Sequence, residues 1–255
     1  MERITSKANQ LVKDTKKLMT SSRERKQNSL FVLEGARLCF DVLNSVYGIK
    51  TVLITDKAYE KYPESADKLI AKADEAYFIS EDVSEKLGDT QTSQGIYAVC
   101  KMKKDGGAFS DKMLALDCVQ DPANIGAVFR TAEALGIKTV IIYNCCDIYN
   151  PKSLRASMGG VLRINTYETD NLEETLNMLK PEYKLYATVP DAQAKSIKDT
   201  DFSEKTVCVI GNEANGVEDN IKAVSDELIT IPMAGNAESL NASAAAAITM
   251  WEMLR

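Results

Sequence analysis

At 255 residues the chain is long enough for one large domain or two ordinary ones, and its 45% apolar and 27% charged shares are those of a soluble globular protein. Histidine is absent, which excludes His triads, His general bases and imidazole zinc sites. The six cysteines (39, 100, 118, 145, 146 and 208) include no C-x-x-C. They read as reduced thiols of a cytoplasmic protein without a metal centre. No apolar leader and no membrane-length apolar run occurs, so no membrane partner is expected.

The net charge of −6 argues mildly against a nucleic-acid partner, but the charge is uneven. Residues 1–27 hold eight cations against three anions, a net +5, so the remaining 228 residues carry −11. Lys13, Lys16, Lys17, Arg23, Arg25 and Lys26 are therefore candidate phosphate contacts. The same run also reads as a solvated helix face.

In chain order, periodicity and breakers predict a helix over 6–19, a strand over 29–34 and a helix over 35–45. A strand over 50–55, a helix over 57–73, a strand over 76–79, a helix over 81–87 and a strand over 95–100 follow. This first part reads as a small α/β domain over 1–102. A charged, Gly-paired linker over 103–109 separates it from a second domain over 110–255. There the prediction is strand 113–118, helix 127–136, strand 138–143, helix 151–158, strand 161–166 and helix 171–179. Strands 184–189 and 206–210, helix 217–224, strand 227–232 and helix 239–254 complete it. Alternating β and α units imply a parallel sheet with helices on both faces. The last helix is apolar nearly all round, as expected for burial in a core or a subunit interface.

Three loops of the second domain each join a strand to a helix. The first is Asp121-Pro-Ala-Asn-Ile-Gly126 leading to Arg130, with Asn124 able both to donate and to accept. The second is Gly211-Asn-Glu-Ala-Asn-Gly216. It lacks the middle glycine of a dinucleotide fingerprint and the Gly-Lys-Ser/Thr of a P-loop. The third, Ile231-Pro-Met-Ala-Gly-Asn-Ala-Glu-Ser-Leu-Asn241, opens the apolar helix, with Ser239 also readable as its N-cap. Loops at strand carboxyl ends converge on binding sites in open α/β sheets. Taken singly, each stretch also reads as an ordinary helix-leading turn.

Together and in this order, the three resemble the motifs of the SpoU (TrmH-like) branch of the SPOUT methyltransferases. The resemblance implies an α/β SPOUT domain with a parallel sheet and a deep trefoil knot. It also implies S-adenosylmethionine (SAM) as cofactor and methylation of a ribose 2′-OH in ribosomal or transfer RNA by a homodimer. Carried over residue by residue, it puts Arg130, Asn124, Glu213, Ser239 and Asn241 at the reacting centre. Gly211, Asn212, Ile231, Met233 and Leu240 fall to the cofactor, and Arg155, within Lys152-Ser-Leu-Arg-Ala-Ser157, to RNA. Glu213 is open either to a ligand contact or to pairing with Arg130. In the first part, Glu34-Gly-Ala-Arg37 and Thr92-Ser-Gln-Gly-Ile-Tyr-Ala98 resemble the small ribosomal-protein-like RNA-binding domain of many such proteins. Ribosomal RNA, 23S in particular, is the expected substrate. The alternatives are transfer RNA, base methylation, or a non-catalytic RNA-binding or ribosome-assembly protein.

Overall fold

The computed structural model describes residues 1–88, 93–103 and 108–255. Its elements run β1 (Glu2–Ile4), α1 (Gln10–Thr20), α2 (Ser22–Asn28), β2 (Leu30–Glu34), α3 (Ala36–Asp41), β3 (Ile49–Thr55), α4 (Asp56–Lys61), α5 (Pro63–Lys72), β4 (Ala73–Ile79), α6 (Glu81–Leu87) and β5 (Ile96–Lys101). Then come β6 (Lys112–Asp117), α7 (Pro122–Leu135), β7 (Thr139–Tyr143), α8 (Pro151–Ser157), β8 (Asn165–Thr169), α9 (Leu172–Leu179) and β9 (Lys184–Thr188). The last are β10 (Lys195–Ser196), β11 (Thr206–Ile210), α10 (Asp219–Val224), β12 (Glu227–Thr230) and α11 (Ala242–Leu254). Among the described residues no helix is long and apolar enough to cross a membrane.

Two compact units result, and they differ from the expected domains. One is Met1–Lys104 with Asp147–Leu162, the other Asp105–Cys146 with Arg163–Arg255. Residues 147–162, expected in the second domain, thus belong with the first. The cause is a buried clasp. The Arg25 guanidinium, 2% exposed, holds Asp147 Oδ2 through Nε at 2.7 Å and Nη2 at 2.6 Å. Its Nη1 donates to the carbonyl of Leu18 at 2.6 Å, which satisfies the remaining face. Beside it Tyr149 stacks on Phe31 at 4.5 Å, and its hydroxyl meets that of Tyr47 at 3.2 Å.

The first unit holds a five-stranded mixed sheet, ordered β1-β4-β3-β5-β2, with β5 antiparallel to both neighbours. Strand β1 and helix α2 were not predicted. The helix expected over 57–73 is broken at Tyr62, because a residue before proline is pushed out of the helical region. Thr92 and the linker residues 104–107 lie outside the described residues.

The second unit is a seven-stranded sheet, β10-β12-β9-β11-β6-β7-β8, parallel throughout. The chain builds outward from β6 through β7 to β8, then returns on the other side of β6. The order therefore reverses at the β6/β11 pair, where open α/β sheets leave a crevice at the strand carboxyl ends. Strands β6 and β11 are almost wholly apolar and buried, as a sheet covered on both faces requires. Residues 161–166, expected as a strand, instead make a turn of 3-10 helix (Gly160–Leu162), and the strand follows as β8.

Helix α11 packs on α7 and on the central strands. Its Ala246, Thr249, Met250 and Met253 are buried, whereas Ile248, Trp251 and Leu254 are exposed. The expectation of burial all round therefore fails within one chain. An apolar face is left over.

Candidate active site

The first loop begins earlier as a helix than expected. Asp121 is the N-cap, its side chain accepting the Ala123 N–H at 2.8 Å, and Pro122 occupies the first position, where no N–H is needed. Helix α7 thus starts at Pro122 instead of 127. Asn124 falls in its first turn, buried, while Arg130 stands two turns in and is exposed. Among the described residues the Arg130 guanidinium makes no hydrogen bond or ion pair.

The second loop is closed by its own backbone. Asn212 and Gly216 exchange N–H···O bonds at 3.0 and 2.9 Å. This brings the backbone back onto Gly211, where a Cβ would sit 2.1 Å from the Gly216 carbonyl carbon. Only glycine fits there. The Asn212 side chain organises the loop, accepting from Ala214 and Asn215 N–H and donating to the Cys118 carbonyl at 2.7 Å. Cys118 itself follows β6 in the left-handed region, at φ 57°.

The third loop delivers Asn241, and not Ser239, as the cap of α11. Asn241 Oδ1 accepts from Ser243 N–H at 2.9 Å, Ser243 Oγ at 2.6 Å and Ala244 N–H at 3.3 Å. Ser239 is left exposed in the loop.

These loops are tied by one chain of side-chain hydrogen bonds. Asn124 Nδ2 donates to Glu213 Oε1 at 2.9 Å, and Asn241 Nδ2 donates to Asn124 Oδ1 at 2.9 Å. An ionised carboxylate only accepts, so Glu213 fixes which way each amide along the chain faces. Backbone N–H groups of Gln120 and Asp121 also reach Glu213, each at 3.2 Å. Burial pushes the Glu213 carboxyl up, but the bonds from Asn124 and these backbone groups outweigh it and hold it below the usual range. Glu213 is therefore an organiser of the first loop and does not pair with Arg130.

A cavity of about 520 Å³ opens between the second and third loops and the ends of β9, β11 and β12. This is the size of a small-molecule site. Gly211, Asn212, Ile231, Met233 and Leu240 all line it, together with Glu213 and Ser239. Val189, Ile210, Val217 and Leu228 make further apolar wall. Its charged lining groups are Asp191, Glu213 and Glu238 against Lys222 alone. Such a mix of apolar wall, free backbone and excess negative charge fits a neutral purine nucleoside bearing a cationic group. Asn124, Arg130 and Asn241 do not line the cavity.

Sequence reasoning missed three contributors. Gln120 bridges the carbonyls of Cys118 and Asn144, the two residues after β6 and β7 with positive φ. Thr188 lines the cavity and donates to Val209 O at 2.8 Å. Asp117, fully buried, accepts the Glu218 N–H through Oδ2 at 2.8 Å. None sits in a spacing that signals its partner. Burial, with Asp117 and Glu218 alongside, pushes the Cys118 thiol up to about 12, so it supplies no thiolate base at neutral pH.

The candidate RNA cations divide. Lys13, Lys17, Arg23 and Lys26 are exposed. Lys17 pairs with Asp14 at 3.3 Å, and Lys16 Nζ caps α6 through the carbonyls of Leu87 and Gly88. Arg25 is removed from the set by its buried pairing with Asp147. Arg155 is half-buried on α8, in the first unit.

A parallel sheet with a nucleoside-sized cavity at the ends of β9, β11 and β12, tied by an amide relay to the loop after β6, defines an open α/β fold with a small-molecule site at its strand carboxyl ends. Residues 111–251 match the profile of the SpoU rRNA methylase family, and residues 9–98 that of the MRM3-like substrate binding domain. The chain is 34% identical over 255 residues to the Bacillus subtilis 23S rRNA (guanosine(2553)-2'-O)-methyltransferase RlmP, covering 99% of both chains. It is 33% identical to the 23S rRNA (guanosine-2'-O-)-methyltransferase RlmB of Acinetobacter baylyi, over 69% of this chain and 76% of that one. The crystal structure of an AdoMet-bound rRNA methyltransferase from Sinorhizobium meliloti superposes with a TM-score of 0.88 at 26% identity, covering 99% of this chain and 97% of that one. The chain belongs to the SpoU rRNA methylase family.

Proposed function

We propose that this protein is an S-adenosylmethionine-dependent RNA methyltransferase acting on a ribose 2′-OH of large-subunit ribosomal RNA. The observation that carries the reading is the Glu213–Asn124–Asn241 chain, which joins all three family motifs beside a cavity suited to the cofactor. Ribosomal RNA as substrate is supported by the names of the two relatives above, which cover most or all of this chain.

Bound in the cavity, SAM supplies a methyl group on a sulfonium, already activated for transfer. The protein's own residues bind and orient. Gly211 lets the second loop close, and Ile231, Met233 and Leu240 supply apolar wall for an adenine. The three lining carboxylates favour the cationic cofactor over its neutral sulfur product. Glu213 and Asn241 hold Asn124 in one rotamer and keep the first loop set before RNA arrives. Arg130, unpaired and exposed on the same helix, is available to an RNA phosphate and the reacting ribose. A guanidinium is a permanent cation in proteins, so its role is to orient and to stabilise developing alkoxide charge. The proton then leaves to a phosphate oxygen or water. No metal is required for this transfer.

The exposed Ile248, Trp251 and Leu254 of α11 support a homodimer. The knot of the SPOUT fold and a cytoplasmic location belong to the same reading. Incubation with labelled SAM and 23S rRNA, followed by nucleoside analysis, tests it. A 2′-O-methyl nucleoside is expected. Label on a base, or no transfer to any ribosomal RNA despite cofactor binding, refutes it.

A further inference from the structure

Beside the loops just described, at the mouth of the β6/β11 crevice, three possible ligand atoms converge without any role in the reaction above. Asp117 ends β6, Cys118 follows it, and Glu218 precedes α10. The Cys118 sulfur and a carboxylate oxygen from each of Asp117 and Glu218 lie within 4.8 Å of one another. Acidic clusters of this size are common, so the case rests on two further observations.

The first is an orphan. Asp117 is completely buried, and its Oδ1 has no hydrogen-bond partner among the described residues. Oδ2 is already taken by the Glu218 N–H, so Oδ1 is the atom left over. Buried carboxylate oxygens are normally satisfied, and an unpaired one calls for an ion, a water or a donor. The second is spacing. The Cys118 thiol donates to Glu218 Oε1 across 3.7 Å, a separation a bridging ion could take over by displacing the thiol proton. A tetrahedral zinc with Zn–S of about 2.3 Å and Zn–O of about 2.1 Å sets its sulfur and oxygen ligands about 3.6 Å apart.

We propose that Asp117, Cys118 and Glu218 form a site for a thiophilic divalent cation such as zinc, with water as the fourth ligand. One thiolate and two carboxylates suit a borderline-soft ion and disfavour magnesium, which prefers oxygen alone. Coordination displaces the thiol proton to the buffer and cancels the mutual repulsion of the two carboxylates. The left-handed backbone at Cys118 turns its side chain toward Glu218 while its carbonyl stays on Asn212 and Gln120. The ion would thus brace the base of the second loop from outside the cofactor cavity. The site is separate from methyl transfer and does not depend on that assignment.

Cadmium titration of the reduced full-length protein tests this through its thiolate-to-metal charge-transfer band, with zinc displacing the cadmium. One equivalent is expected, with the band lost in Cys118→Ser and retained in Cys146→Ser. Glu218→Gln should bind at least about tenfold more weakly, the equivalent of one lost charged contact. Circular dichroism establishes that each variant is folded. No band in the wild type, a band that survives Cys118→Ser, or undiminished binding by Glu218→Gln overturns the proposal.

Discussion

Asn241 caps helix α11 with its carbonyl oxygen and at the same time donates its amide to Asn124 Oδ1 at 2.9 Å, 117 residues away in sequence. One side chain thereby begins the terminal helix and fixes the first turn of α7. Replacing Asn124 by Asp places a second carboxylate against Glu213. Two carboxylates sharing a site raise one acid's pKa, and an acid raised in the folded state costs stability above its unfolded value. Asn124→Asp should therefore be less stable than wild type at pH 8 and approach it as pH falls toward 5. Thermal melts across that range give the answer; a gap independent of pH contradicts the arrangement.

Glu213 gives the opposite sign. Its folded carboxyl is held below the usual range, so its contribution is present above the unfolded value of about 4.3 and is lost as pH falls through the lower folded value. The stability difference between wild type and Glu213→Gln should stay constant from pH 8 to about pH 5 and shrink only in stronger acid. Denaturant unfolding at several pH values measures it.

Arg130 is exposed and outside the cavity, so its loss should spare the cofactor. Arg130→Ala is expected to bind S-adenosylhomocysteine within a few-fold of wild type while single-turnover methyl transfer falls at least about 100-fold. Arg130→Lys should also fail, because a point charge does not reproduce the planar fork. A near-normal rate for Arg130→Lys would show that only charge is needed.

Arg25 and its exposed neighbours should separate cleanly. Arg25→Met leaves the half-buried Asp147 without its partner and should destabilise the protein by about 3 kcal/mol. Lys13→Glu and Arg23→Glu should leave stability nearly unchanged. If both contact phosphates, the slope of log RNA affinity against log salt falls by about 0.7 per contact for single-stranded RNA. Filter binding over a salt series decides this, and an unchanged slope assigns these residues to a solvated face.

Trp251 is the chain's one tryptophan and is 57% exposed. A homodimer that covers α11 should bury it, giving blue-shifted emission that moves to the red on dilution. Trp251→Arg should sediment as a monomer. Red-shifted emission and a monomeric wild type would leave the exposed apolar face without its expected partner.

The family motifs were legible because each is local. A short apolar run, a polar loop and a helix start lie within a dozen residues, and Asp121-Pro122 marks a helix N-terminus by cap chemistry alone. Even so, α7 starts five residues before the sequence pattern predicts, since Asn124, Ile125 and Gly126 read as loop until tertiary contacts bury them. The five expected cavity residues do line one cavity, because a parallel sheet brings the loops after β11 and β12 to the same end.

Partnerships across long separations were not legible. By sequence Glu213 is open either to a ligand or to Arg130, and only the fold, by setting β6 beside β11, gives it to Asn124. Arg25 sits in a basic run and looks like its neighbours. What distinguishes it is Asp147, 122 residues on, and the burial that makes the pair obligatory. Local propensity and patterning therefore determined the elements and the order of the motifs. The tertiary structure decided which polar groups meet, because only it brings donors and acceptors distant in sequence within reach, and for Arg25 burial leaves Asp147 as the counter-ion.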